Sequence, residues 1–242
     1  MVKLYPDQVN QQELLDDSSI DLETRKKLLL ELDYSNTRLF VFPIVTYFLT
    51  RFISKTIKKK SALKILEIGS GSGGLASKIL KKISNNYEVE YCLFDLDPDI
   101  LAWAQENCKK QGYHVSIFQA DSDYLKKVND KEFDLIISLH AVHHIHPKSE
   151  VQDFFKEVAR CSKHGYFIVD FQRRIGNELM LKIACLIISL SKDLIEDGIK
   201  SLKRSYLKSE LIEFSKNKNF QVRTSSFFWN PYVIIQATRT SR

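Results

Sequence analysis

The feature that most limits how this chain can fold is a rhythm that begins at residue 62. Short apolar runs alternate there with amphipathic stretches: ALKILEIG, then a helix from Leu75; EVEYCLFD, then a helix from Pro98; YHVSIFQAD; FDLIISLH, then a helix from Glu150; GYFIVDF. Strands separated by helices imply a parallel sheet built from right-handed βαβ units. A helical insertion over 174–205 interrupts the rhythm. It resumes with a helix at 208–217 and two last runs, FQVRTSSFF and YVIIQATR, with only Asn230 and Pro231 between them. So short a link predicts an antiparallel hairpin. The expected architecture is α/β, with a seven-stranded sheet in the order 3-2-1-4-5-7-6 closed by that antiparallel terminal hairpin.

Residues 10–60 read as helices. Leu14 and Leu15, then Leu28, Leu29 and Leu32, then Phe40, Ile44, Phe48 and Phe52 recur at steps of three and four. Pro43 fits the first turn of a new helix. The chain thus divides into a helical cap, 1–60, and a sheet domain, 61–242, that carries the insertion. Within the insertion, Leu179, Leu181, Ile183, Leu186, Ile187, Ile188 and Leu190 cover most of a helix circumference, which predicts burial on more than one side. Three readings of these helices stay open: a lid over an apolar acceptor, a packed subdomain without a ligand, and a membrane-surface helix, since Lys182 and Lys192 flank the apolar run.

At 242 residues and 44% apolar composition the chain suits one large domain, or one domain with a helical attachment. A net charge of +6 raises nucleic acid or an anionic membrane as partners. The lysines are scattered singly, apart from Lys58-Lys59-Lys60, and aromatic residues do not interleave with basic ones, so a solvated surface is the better reading. Cys92, Cys108, Cys161 and Cys185 form no CxxC pair and no metal-ligand spacing. The polar, acidic start MVKLYPDQVNQQELLDD is not a secretory signal, and the longest apolar run, near Ile183 to Leu190, is too short to cross a bilayer. A reducing cytoplasm and no transmembrane segment are expected. Oligomeric state is not legible.

Glu67-Ile-Gly69-Ser70-Gly71-Ser-Gly73-Gly74 follows one predicted strand and precedes a helix. Glycines permit a tight bend and let a ligand lie against bare backbone beside a helix N-terminus, whose N–H groups suit a carboxylate or phosphate. Gly69, Gly71 and Gly74 also satisfy GxGxxG, so the loop alone does not choose between cofactors. Asp95 ends the next strand, where a carboxylate can accept both hydroxyls of a ribose. Asp97 and Pro98 then read as the N-cap and first position of the following helix. Asp121 ends the third strand, placed to accept from an adenine amino group. Each acid sits at a strand's carboxyl end, the side where open α/β sheets bind ligands.

LEIGSGSGG resembles motif I, ExGxGxG, of the class I S-adenosylmethionine-dependent methyltransferases. Asp95 matches that family's ribose-binding acid. QADSDYL is similar to its third motif, FDLIISLHAVHHI to its fourth-strand motif, and FFKEVARCSKHGYFIVDF to its next helix and strand. The resemblance spans residues 62–240 and implies a Rossmann-like sheet with S-adenosylmethionine as cofactor. It also implies that Glu67, Gly69, Gly71 and Gly73 shape the methionine end of the pocket, with Ser70, Leu96, Ser122 and Ser138 as further contacts beside Asp95 and Asp121. Lys163-His164-Gly165 departs from the family's Lys-Pro-Gly and is expected in a turn. A nicotinamide reading has no hydride-transfer site downstream to support it.

Methyl transfer needs acceptor and methyl held in line, water excluded and, for a hydroxyl acceptor, a base. His140, His143, His144 and His146 crowd the end of the fourth strand. Their spacing does not suggest a metal, so no metal is expected. His143 best matches the catalytic histidine of small-molecule O-methyltransferases resembling this fold, and His144 comes second; packing of the following helix is the competing role. Asp170-Phe-Gln-Arg173-Arg174 and the stretch Asp197 to Tyr206, with the leader ELLDDSSIDLETRKKLLLELDYSNTRLF, look like segments of a bacterial small-molecule subgroup. Arg173, Arg174, Arg204 and Tyr206 are candidate acceptor contacts, since arginines hold a carboxylate, enolate or phenolate by charge-assisted bonds. They serve equally well to pair with Asp170 and Asp197 and pin the lid.

The leading expectation is therefore a small-molecule methyltransferase acting on oxygen of an aromatic or polyketide-like acceptor. Two alternatives remain. An RNA or other nucleic-acid methyltransferase would suit the charge, but the fourth strand lacks an Asn/Asp-Pro-Pro-aromatic motif and no Pro-Cys pair is present. A non-catalytic S-adenosylmethionine-binding protein would not need the glycines, Asp95 and Asp121 together.

Overall fold

In the computed structural model, residues 7–17, 19–119, 123–226 and 231–240 are described. Among the described residues the first α-helices, after a 3-10 turn at Leu14–Asp16, are α1 (Leu22–Arg38) and α2 (Val41–Thr56). The Asp21 carboxylate accepts from Thr24 N–H and starts α1; Phe40, at φ 62°, turns the chain into α2, with Pro43 in its first turn. Then follow β1 (Ala62–Ile68), α3 (Gly74–Ile83), β2 (Glu88–Asp95), α4 (Pro98–Lys110), β3 (Ser116–Gln119), α5 (Tyr124–Lys127), β4 (Phe133–Leu139), α6 (Lys148–Cys161) and β5 (Ser162–Phe171). The insertion is α7 (Asn177–Ile187) and α8 (Lys192–Arg204). The chain closes with α9 (Lys208–Ser215), β6 (Phe220–Ser226) and β7 (Tyr232–Arg239).

The seven strands form one sheet in the order β3-β2-β1-β4-β5-β7-β6. The first five are parallel; β7 runs antiparallel to both β5 and β6. This is the expected Rossmann-like sheet. The hairpin turn lies outside the described residues. Asp97 caps α4 as the sequence implies, accepting from Asp99 and Ile100 N–H with Pro98 at the first position.

Side chains alternate between two cores. Leu63 and Ile65 of β1, Leu135, Ile137 and Leu139 of β4, and Phe167, Val169 and Phe171 of β5 join α2, α3, α4, α7 and α8 on one face. Leu66, Ile68, Ile136, Tyr166 and Ile168 face the other core with α6 and α9. The N-terminal helices thus share a core with the sheet: Phe42, Val45, Leu49, Phe52 and Ile53 of α2 are all buried in it.

Two local expectations are corrected. Lys163-His164-Gly165 is not a turn, because α6 ends at Cys161 and β5 begins at once with Ser162. And α7 is not buried on more than one side. It buries Leu181 and Cys185, while Leu179, Ile183, Leu186 and Ile187 are exposed, since it lies on the surface against α8. No single helix among the described residues is long and apolar enough to cross a membrane.

Candidate active site

A cavity of 1120 Å³ opens at the carboxyl ends of β1, β2, β4 and β5. That slightly exceeds the usual ligand-pocket range of about 300–1,000 Å³ and leaves room for more than one small molecule. One half is built by the tips of β1 and β2. Gly69, Gly71 and Gly73 have φ of 72°, 50° and 75°, a region an L side chain resists. A Cβ on Gly69 would stand 2.8 Å from Ala141 Cβ. The turn is tied to the second strand: Gly69 and Ser70 N–H both donate to Phe94 O, at 2.9 and 3.0 Å, and Gly71 N–H donates to Asp95 Oδ2 at 2.9 Å. Asp97 N–H donates to Asp95 Oδ1 at 3.2 Å. Each Asp95 oxygen therefore keeps acceptor capacity for a ribose hydroxyl.

The start of α3 is less open than its sequence suggests. Gly74 N–H donates to Ser72 Oγ at 3.0 Å, and the Ser72 hydroxyl donates to Asp33, which α1 lays across the turn. Burial raises the Asp33 pKa to about 6, against the opposing pull of Ser72 and Lys78. Glu67 is 2% exposed, accepts from Tyr91 Oη at 2.6 Å, and is pushed by burial to about 8. It enters the site as a neutral acid at physiological pH. The positive-φ cradle, with Gly69 and Gly71 bringing bare backbone to the cavity, and the ribose-ready Asp95 fit the nucleoside and methionine parts of S-adenosylmethionine. Glu67, Gly69, Ser70, Gly71, Asp95 and Leu96 all line the cavity. Gly73 does not, and acts as the left-handed N-cap of α3. Ser138 does not either: it is fully buried in β4, without a hydrogen-bond partner for its hydroxyl. Its parity with Ile136, against Ile137 and Leu139, was the available signal. Asp121 and Ser122 lie outside the described residues.

The other half gathers charge. His143, in a 3-10 turn after β4, is 2% exposed. Its Nδ1 lies 2.6 Å from Asp170 Oδ1, its backbone N–H donates to Asp170 Oδ2 at 3.0 Å, and Phe171 N–H donates to Asp170 Oδ1. Nε2 has no hydrogen-bond partner; Glu13 Oε1 stands 3.5 Å away. Burial alone would lower the His143 pKa, but Asp170 and Glu13 outweigh it and raise it to about 10. Asp170 is held below the usual carboxylate range by His143, despite full burial. His144 lines the cavity and its Nδ1 sits 3.1 Å from Asp16 Oδ2.

His140 has φ of 58° and stacks between Phe171 and Tyr232, with centroids at 5.0 and 4.9 Å. Burial lowers its pKa to about 4, so its ring is neutral. His146 also lines the cavity and pairs with His143 O and Tyr206 Oη.

The candidate acceptor contacts fall elsewhere. Arg173 reaches Glu210 at 3.4 Å, Arg174 reaches Asn177 at 3.2 Å, and the Tyr206 hydroxyl donates to Ile145 O at 2.6 Å; none lines the cavity. Arg204 joins the site through others, pairing with Glu13 at 3.5 Å and with Asp16. Sequence reading missed Glu13, Asp16 and Asp33. Their signal was present as an acidic leader on a chain of positive net charge, but nothing local says where such acids dock. Glu13, His143 and His144 place ligand-type atoms within 4.8 Å of one another, a set that a metal can use. The Arg204 guanidinium already offsets the Glu13 charge.

Sheet order and strand-tip site together define the Rossmann-like methyltransferase class. Residues 65–165 match the methyltransferase domain family. The chain is 27% identical over 183 residues to a ubiquinone biosynthesis O-methyltransferase of Rickettsia bellii, covering 74% of this chain and 70% of that one. It is 26% identical over 144 residues to the hybrid PKS-NRPS synthetase lepA of Aspergillus flavus, 58% of this chain but 4% of that protein's length. An O-methyltransferase family protein from Burkholderia thailandensis superposes with a TM-score of 0.67 at 12% identity, over 95% of this chain and 63% of that one. The match over residues 65–165 and the strand order are those of S-adenosylmethionine-dependent methyltransferase domains.

Proposed function

We propose that this chain methylates an oxygen of a small aromatic or polyketide-like acceptor, with His143 as the proton acceptor and Asp170 as its support. One observation carries the reading: a buried histidine, its Nδ1 fixed by Asp170, lines the cavity that also holds the glycine turn and Asp95, and its Nε2 has only the longer 3.5 Å contact with Glu13 among the described residues. An imidazole held on one nitrogen by a carboxylate, with the other nitrogen on the cavity side, is the arrangement of a general base once that second nitrogen is deprotonated. Bound S-adenosylmethionine supplies an electrophilic methyl group on a sulfonium. Asp95 would hold the ribose, and the bare backbone from Gly69 to Gly71 would let the cofactor lie close. The deprotonated form of His143 takes the acceptor's proton on Nε2 as the oxygen becomes nucleophilic, and Asp170 keeps the resulting imidazolium in place. Because Asp170 and Glu13 raise the His143 pKa to about 10, that form grows and transfer rises as pH climbs toward 10. A phenol or enol suits this pair, because a phenolic pKa near 10 lies close to that of His143. The aligned relatives support a small acceptor of this kind: one acts in ubiquinone biosynthesis and another is a PKS-NRPS synthetase. The cap, 1–60, and the insertion, 174–205, serve in this reading as a lid.

The test is transfer from labelled S-adenosylmethionine to a panel of phenols, quinols, carboxylic acids and tRNA by wild type and His143→Gln. Methylated phenol or quinol from the wild type alone, with equal cofactor binding by both, supports the proposal. Methylated tRNA, or equal transfer by the variant, refutes it.

A further inference from the structure

The segment before α1 lies over this half of the cavity and is fastened at several points. Gln8 Nε2 donates to Arg204 O at 2.7 Å and Val9 N–H to Lys203 O at 3.0 Å. Leu14 N–H donates to both oxygens of Asp197, at 3.0 and 2.8 Å. Asp16 pairs with His144 and Arg204. These fastenings deliver Glu13 into the interior, where it is 5% exposed.

The surroundings of that carboxylate are unusual. Among the described residues it meets His143 Nε2 at 3.5 Å, Arg204 Nη1 at 3.5 Å and His144 Nε2 at 3.9 Å. All three can carry positive charge, and each contact is longer than a good charge-assisted hydrogen bond of roughly 2.7–2.9 Å. A buried carboxylate normally draws in close donors. Here the backbone anchor at Leu14 sets where Glu13 can reach. A free oxyanion would have no such tether and could close on the same donors.

We infer that Glu13 occupies the subsite for the acceptor's ionisable oxygen, so that acceptors are acids, and the leader segment withdraws to admit them. This rests on the reading of His143 as the group that faces the acceptor. Phenols, enols and carboxylic acids fit such a subsite; neutral alcohols and amines leave its positive charge unmatched.

The experiment measures binding to the full-length chain saturated with S-adenosylhomocysteine, using 4-nitrophenol at a pH where it is ionised and benzyl alcohol as the neutral control. In wild type, 4-nitrophenolate should speed hydrogen exchange of the amides of residues 8–16, and benzyl alcohol should not. Glu13→Gln should bind 4-nitrophenolate more tightly, by about tenfold if the wild-type carboxylate is taken to hold the subsite roughly nine-tenths of the time. Asp197→Asn, which loosens the Leu14 anchor and leaves Glu13 intact, should give a smaller gain in the same direction, so the test survives if the Glu13 variant folds poorly. Unchanged or weaker anion binding in both variants, an equal gain for benzyl alcohol, or a stoichiometric Mn2+ or Zn2+ ion bound by wild type and lost in Glu13→Gln would each overturn the inference. Because the readout is binding, it is separate from the His143→Gln transfer test. A failure there would remove the base and leave these affinities to be read on their own.

Discussion

The two halves of the cavity are built on opposite principles. At the tips of β1 and β2 the backbone N–H groups are satisfied within one turn or across two adjacent strands: Gly69 and Ser70 N–H on Phe94 O, Gly71 N–H on Asp95, Gly74 N–H on Ser72. At the tips of β4 and β5 the charged groups come from distant segments. Glu13 and Asp16 from the leader, His143 and His144 from the turn after β4, Asp170 from β5 and Arg204 from α8 converge there. The first half is a rigid mould set by backbone. The second is a charge balance that shifts when any one member moves. A binding site for an invariant cofactor suits the former, and a site that must admit and release an acceptor suits the latter.

Breaking the charged half should have the largest effect. His143→Ala is expected to lower methyl transfer by roughly 10²- to 10⁴-fold, the usual contribution of a positioned base, while cofactor affinity measured by calorimetry stays within about twofold. Comparable losses in both would merge the two halves into one. Breaking the moulded half should reverse the pattern. Asp95→Ala is expected to weaken S-adenosylmethionine about 100-fold, since hydrogen bonds to a charged group contribute about 1.5 kcal/mol or more each and two are lost. Unchanged affinity would remove Asp95 as the ribose ligand.

Gly69→Ala probes the mould's rigidity. Its Cβ would stand 2.8 Å from Ala141 Cβ at a φ of 72°, and the strain should cost about 1–3 kcal/mol in urea unfolding. The charged half should instead show in the pH dependence of stability. His143 keeps its proton in the folded chain up to about 10, whereas an unfolded histidine loses it near 6.5. The stabilisation is therefore complete below about 6.5 and fades as pH rises toward 10. Melting temperature should decline over that window in wild type and decline less in His143→Gln. A parallel profile in the two proteins would show that the pair with Asp170 contributes nothing.

Glu67→Gln should have the smallest effect. The folded acid holds its proton until about 8, while the unfolded one releases it near 4.3, so wild type loses stability as pH rises between those values. The neutral amide should match wild type near pH 5 and equal or exceed it at pH 8. A loss at pH 8 would show that Glu67 is needed as a carboxylate.

Much of the mould was legible in the sequence. The glycine spacing, Asp95 at a strand tip and Asp97-Pro98 at a helix start are local patterns, and each is realised by hydrogen bonds within a few residues or across adjacent strands. Ser138 shows the limit of motif reading, because strand parity directs it into the opposite core from Leu139. Arg173, Arg174 and Tyr206 show another, since their partners Glu210, Asn177 and Ile145 complete structural contacts away from the cavity. The apolar surface of α7 shows a third. Seven aliphatic residues predict burial, but nothing in periodicity says that Leu179, Ile183, Leu186 and Ile187 will stay exposed while Leu181 alone of the α7 aliphatics reaches the core.

What the sequence determined by itself was the kind of sheet: apolar runs of the right length and period, set apart by helices and followed by two strands in close succession, narrow the strand orders to a few, and the observed one is among them. What only the tertiary structure decided was which charges meet. Glu13 and His143 are far apart along the chain, and their encounter depends on how the leader is pinned to Asp197 and Arg204. Hydrophobic periodicity repeats along a segment and is read locally, whereas an ion-pair network is a property of distances that no single segment contains.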